Sequence, residues 1–94
     1  MRLGIVVGQV VATVKSSGFE QDKLLLVEMI GTDGKPQGDC HVAIDNIGAG
    51  NGEWVLVVRG SSARKNVSNE APVDMSIIAI VDEVVVKNKL VYHK

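Results

Sequence analysis

Aromatic side chains are scarce in this 94-residue chain, at 3%, and comprise only Phe19, Trp54 and Tyr92. Modules that hold single-stranded nucleic acid stack bases on several exposed rings inside a basic groove. Too few rings, with a formal net charge of -1, argue against that role and against an acidic membrane surface, because both need clustered cations. Cys40 is the one cysteine, so no internal disulfide can form, which fits a reducing cytosol. No apolar stretch is long enough to span a bilayer as a helix. Met1-Arg2 followed by Leu3-Gly4-Ile5-Val6-Val7-Gly8 imitates the start of a signal peptide. Gln9 interrupts that run, no small-x-small cleavage site follows and Lys15 comes early, so a first β-strand is expected instead. Asn66-Val67-Ser68 matches a glycosylation acceptor, which has no meaning without secretion.

What the chain does have is valine and isoleucine. Their branched Cβ atoms favour strands, and the length suits a single domain over residues 1–94. Strand patterns cover residues 2–14, 23–30, 39–47, 53–59, 75–87 and 90–93. Gly4 and Gly8 inside the first pattern indicate a bulge, a bend or a close approach by another backbone. Residues 15–22 and 66–72 are polar and loop-like. Thr32-Asp33-Gly34-Lys35 predicts a hairpin turn in which glycine takes the positive φ, with Pro36-Gln37-Gly38 extending it. Asn88-Lys89 predicts a second tight turn, and residues 61–65 one short helical turn with a serine N-cap. An all-β fold with about six short strands, closed or half-closed into a small barrel to remove its edges, is therefore expected.

The chain also lacks a converging set of reactive groups. Gly48, Gly50 and Gly52 do not have dinucleotide-fingerprint spacing, and a strand rather than a helix follows them. No phosphate-loop lysine is present either. The bland reading, a tight connection or close packing, is preferred. Gly60-Ser61-Ser62-Ala63-Arg64 could present an anion site at a helix start, but a capped turn whose arginine pairs with a neighbour is favoured. Cys40 and His41 fall on opposite faces of a strand, so with Asp45 they make no nucleophile or metal set. His93 lies at the exposed end. Asp74, Asp82 and Glu83 read as turn caps or ion-pair partners rather than as carboxyls tuned for catalysis. No catalytic, cofactor-binding or metal-ligating residue is assigned, and no cofactor is expected.

A different signal concerns surface. Ile5-Val6-Val7, Leu24-Leu25-Leu26-Val27, Val55-Leu56-Val57-Val58, residues 77–81 and Val84-Val85-Val86 are apolar on both faces, whereas a half-buried strand alternates. One small barrel interior cannot hold all of these side chains. The remainder mark a contact surface, met most simply by copies of the same chain in a closed ring. The competing reading is a small oligomeric β-barrel that binds a peptide or an anion, with no enzyme activity in either case.

The order of these segments resembles the vertex proteins of bacterial microcompartments, the shells of carboxysomes and of ethanolamine- or propanediol-using compartments. The matching pieces are Gly4-Ile5-Val6-Val7-Gly8, Val11-Ala12-Thr13-Val14-Lys15, Lys23-Leu24-Leu25-Leu26-Val27, Val42-Ala43-Ile44-Asp45, Gly48-Ala49-Gly50-Asn51-Gly52-Glu53, Gly60-Ser61-Ser62-Ala63-Arg64 and Ile80-Val81-Asp82-Glu83-Val84. Ala79 stands where the family commonly has glycine. The resemblance implies a five-stranded, OB-like β-barrel with an extra hairpin and one short helical turn, assembled as a homopentamer that caps the corners of a polyhedral shell in the cytoplasm. It implies partners of two kinds, further copies of itself and hexameric or trimeric shell proteins. It also implies a subunit boundary formed by Gly48, Ala49, Gly50, Gly52 and Glu53 and by Ser61, Ser62, Ala63 and Arg64.

Overall fold

The branched residues do form strands. The computed structural model describes residues 1–13, 23–60 and 75–94, and all regular structure among them is β. The strands are β1 (Arg2–Val10), β2 (Lys23–Ile30), β3 (Pro36–Asp45), β4 (Trp54–Arg59), β5 (Met75–Ile80), β6 (Glu83–Val86) and β7 (Lys89–His93). The first five close into a barrel in the order β1-β2-β3-β5-β4, with β4 returning to β1. Only β3 and β5 pair in parallel. The last two form a separate hairpin. A five-stranded closed barrel plus one extra hairpin is the architecture expected from the sequence. The expected helical turn over residues 61–65 lies outside the described residues.

Alternation decides what enters the barrel. Val6, Leu25, Val27, Met29, Ala43, Val55, Val57 and Ile77 are buried together with Ala49 and Met75. Directly paired residues share a face, so rows such as Val6 beside Val27 and Leu25 beside Ala43 stack inward. Both glycines of β1 fulfil their sequence roles. A Cβ on Gly4 would stand 2.5 Å from Val27 Cγ1 and 3.2 Å from the Glu28 carbonyl oxygen, so this is a close approach that any larger residue would jam. Gly8 follows a register shift that leaves Val7 as an extra residue of the bulge.

Several boundaries differ from the sequence expectation, each for a pairing reason. β1 ends at Val10 rather than running to residue 14, because its last partner, Leu24, lies next to the first residue of β2. Pro36, Gln37 and Gly38 belong to β3 rather than to the turn. Pro36 pairs with Ile30 across a bulge in which Gly38 has φ 89°, and a first strand position tolerates proline. β3 stops at Asp45, two residues early, where its side chain turns to cap the following loop. The apolar run 75–87 is two strands. Val81 donates its N–H to the Trp54 carbonyl at 2.8 Å, after which the chain leaves the barrel. The hairpin turn is centred on Lys87 and Asn88, with φ 52° and 66°, one residue before the expected position. The turn at 32–35 is as expected, with Gly34 at φ 82° and the Gly34 N–H donating to the Gly31 carbonyl.

Candidate functional site

The loop between β3 and β4, residues 46–53, holds Gly48, Ala49, Gly50, Gly52 and Glu53 together. Its anchor is Asp45, a carboxylate only 3% exposed. Asp45 Oδ1 accepts from the N–H groups of Ile47 (3.1 Å) and Gly48 (3.2 Å), and Oδ2 from that of Ala49 (2.9 Å). Three backbone donors converge on one anion, which is how a phosphate-binding nest would look. Here the anion is the chain's own side chain. The Gly50 N–H donates to Glu53 Oε1 and the Glu53 N–H to the Gly50 carbonyl. The Gly52 N–H donates to the Val6 carbonyl at 2.8 Å, and the Val6 N–H to the Glu53 carbonyl at 3.0 Å. With these donors satisfied internally, the glycine-rich stretch has little left to offer a nucleotide. The strand that follows it, β4, supplies no helix N-terminus either.

Glu53 ties this loop to the far end of the chain. Its Oε2 lies 2.7 Å from Lys94 Nζ. That contact, followed by the Gly50 N–H, lowers the Glu53 pKa, while Glu53 raises that of Lys94. The Lys94 N–H also donates to the Asp82 carbonyl at 2.8 Å. Beside this pair, Trp54 and Tyr92 stack with ring centroids 4.0 Å apart and planes 14° off parallel. Tyr92 thereby holds the hairpin against the barrel. Glu83, one of the carboxylates expected to be a pair partner, lies 3.6 Å from His93 across the hairpin, and Asp74 lies outside the described residues. A cavity of about 210 Å³ opens beside the loop, with Val6, Leu25 and Ala49 among its apolar lining and Gln9, Lys23 and Asn51 among its polar lining.

A second polar cluster joins β1, β3 and β4. Arg2 forks onto Asp39, with Nη1 to Oδ2 at 2.7 Å and Nη2 to Oδ1 at 3.2 Å, and Nη2 also reaches Gln37 Oε1. His41 Nε2 meets Asp39 Oδ2 at 3.0 Å. Arg59 Nη2 lies 3.1 Å from each ring nitrogen of His41. Arginine has only donors, so where His41 Nε2 faces Asp39 the nitrogen left to accept from Arg59 is Nδ1. The Arg2 hydrogen bonds, and after them His41, hold Asp39 down at about 2. Cys40 is exposed on the opposite side of β3, paired with Glu28 while His41 pairs with Val27.

Gly48, Ala49, Gly50, Gly52 and Glu53, the first half of the expected boundary set, lie in one loop. The second half, Ser61, Ser62, Ala63 and Arg64, lies outside the described residues. The sequence reading missed Asp45 as the organiser of the loop, considering it only beside Cys40 and His41. The available signal was an aspartate two to four residues ahead of Ile47, Gly48 and Ala49, the spacing at which its side chain meets backbone donors. Glu53 with Lys94, Arg2 with Asp39, and Trp54 with Tyr92 carry no local signal, being 37 or more residues apart.

The profile of the family described as "Ethanolamine utilisation protein EutN/carboxysome" matches residues 1–82, ending one residue before β6. The chain is 58% identical to the bacterial microcompartment shell vertex protein EutN of Salmonella typhimurium, over 100% of this chain and 96% of that one. It is 44% identical to the carboxysome shell vertex protein CcmL of a Synechocystis species, over 100% and 95%. Among solved structures, the pentameric microcompartment shell protein GrpN of Rhodospirillum rubrum superposes with a TM-score of 0.85 at 41% identity, covering 92% of this chain and 99% of that chain.

Proposed function

Because the chain belongs to the family of EutN and carboxysome shell vertex proteins, we propose that it forms a closed ring of five copies at the corners of a polyhedral microcompartment shell. The protein is a structural shell component, and its contribution is geometric. A sheet of hexagonal tiles stays flat, and inserting fivefold units closes it. The observation that carries the ring is the 41% identity and matching fold shared with a relative that is itself pentameric. The apolar side chains left on the outside of the barrel and hairpin support the same reading, because a small soluble β-barrel has little use for them unless another chain covers them.

Within the ring, Gly48, Ala49, Gly50, Gly52 and Glu53 stand at the boundary between subunits, with Ser61, Ser62, Ala63 and Arg64 against the neighbour. The hexameric or trimeric shell proteins are the tiles it joins, in a compartment held in the cytoplasm. The deciding experiment is the native mass of the purified protein. A species near five times the 10.0 kDa chain mass is expected, and a stable monomer or dimer overturns the reading. Arg64→Glu is expected to dissociate the ring, and unchanged rings in that variant remove Arg64 from the boundary. Co-expression with hexameric tiles should yield closed particles only when this chain is present.

A further inference from the structure

A ring of identical subunits cannot be closed by one self-complementary patch. Each copy must present two different surfaces, one fitting the other on the next copy. Among the described residues the exposed large apolar side chains include two such surfaces. The first is on the hairpin. Val84 pairs with Tyr92 on the face turned toward Trp54, while Val85 pairs with Leu90 on the opposite face. Val85 and Leu90 are 59% and 55% exposed, and Val91, the extra residue at the register shift, is 42% exposed. The second is on the barrel wall, where Gly8, Leu26 and Val42 form one outward row across β1, β2 and β3. Val42 is 47% exposed and Val7, in the adjoining bulge, 43%.

The charges beside the two surfaces are opposite. Lys87 stands at the hairpin tip beyond Val85 with no ion-pair partner among the described residues, Lys89 lies beside Val86 on the other face, and Glu83 on the Val85 face is met by His93 at 3.6 Å. Glu28 sits on the wall in the row next to Leu26 and Val42, also without a pairing cation among the described residues. Opposite charges at the edges of two apolar patches fix the register in which they meet. A two-stranded hairpin is marginal alone and gains stability from a second surface. Here the first face is covered by the barrel of its own subunit and the second face is bare.

We propose that the outward face of the hairpin, centred on Val85 and Leu90, docks on the β1–β3 wall of the next copy, centred on Val42, Leu26 and Val7, with Lys87 of the tip meeting Glu28. The inference rests on the pentamer reading and adds to it which surfaces make the contact. It puts part of the ring contact on the C-terminal hairpin, at a distance in sequence from the glycine loop.

The test is a charge swap followed by native mass. Leu90→Lys and Val42→Glu, made singly, should each raise the concentration needed for half-assembly at least tenfold, while the circular-dichroism spectrum of a folded subunit is kept. The double variant, which sets the opposite charges against each other, should recover rings at wild-type concentrations. The two single changes sit on separate patches of exposed side chains, so a folding defect in one leaves the other to decide. A folded single variant that stays pentameric like the wild type overturns the inference while leaving the ring intact. Two dissociated singles whose double variant stays monomeric overturn the pairing of these two patches. A wild-type protein that is not pentameric overturns the ring itself, and the docking with it.

Discussion

In the barrel, every strand hydrogen-bonds to neighbours on both edges and turns one face into a shared apolar core. In the hairpin, β6 and β7 pair with each other alone among the described strands, and attachment to the barrel comes from the Tyr92 stack on Trp54, the Lys94–Glu53 ion pair and the backbone around Asp82. Both regions are rich in valine, yet the same residue is buried in one and exposed in the other. Val55 is fully buried and Val85 is 59% exposed. Composition sets how much apolar surface must be hidden, and closure decides how much of it a single subunit can hide. The barrel hides most of its valines in its own core and leaves Val7 and Val42 on its wall, whereas the hairpin keeps Val85, Leu90 and Val91 exposed.

The contrast can be broken most forcefully from the barrel side. Ile77→Ala should remove about 3–4 kcal/mol, since a fully buried isoleucine leaves a cavity in a closed barrel that cannot collapse to fill it. Urea unfolding at fixed protein concentration measures the loss, and a change below about 1 kcal/mol would show the barrel interior to be loosely packed. Asp45→Ala comes next, at about 2–3 kcal/mol, because the N–H groups of Ile47, Gly48 and Ala49 lose their common acceptor in a buried site. If Asp45→Ala matches the wild type in a melting scan, the carboxylate does not organise the loop.

Tyr92→Ala probes the attachment itself. It should cost about 1 kcal/mol of stability from the lost ring stack, and its larger signature is local. Hydrogen exchange should accelerate at β6 and β7 and stay unchanged at β2 and β3, and uniform acceleration would mean that barrel and hairpin open as one unit. The smallest effect is expected in acid. Asp39 titrates at about 2 in the folded chain, below the ordinary carboxylate value of about 4. Its contribution is therefore complete above about pH 4 and is lost as pH falls through about 2. In Asp39→Asn the melting temperature should fall less between those limits than it does in the wild type. An identical acid profile would show that the Arg2 fork adds nothing to stability in solution.

Much of the architecture was readable because it is written locally. Runs of valine and isoleucine bounded by turn residues gave six strand patterns, of which 75–87 divides into β5 and β6 at Val81 and Asp82, and Gly34 in its turn predicted the β2–β3 hairpin. The reading failed where pairing across the sheet overrides local character. Pro36 and Gly38 look like turn residues, but Ile30 opposite Pro36 draws them into β3. The run 75–87 looks continuous, but β4 begins at Trp54, so the ladder of β5 ends near Ile80 for want of a partner. The glycine loop was read as packing rather than chemistry from its spacing, while the occupation of its amides by its own carboxylates became visible only in three dimensions.

From its sequence alone this chain was bound to be a small β protein with more apolar surface than one core can bury, with no converging catalytic set and with the segment order of a shell vertex protein. The first of these follow from side-chain branching and composition, which neighbouring residues express without long-range help, and the last from the resemblance of the segments to that family. The tertiary structure alone decided that the strands close as β1-β2-β3-β5-β4, that Asp45 fills the loop's nest, that Arg2 meets Asp39 and Glu53 meets Lys94, and which valines remain outside. These are contacts between residues distant in the chain. Their identity depends on how the barrel closes, and the closing pairs β1–β4 and β3–β5 join strands that no single turn connects.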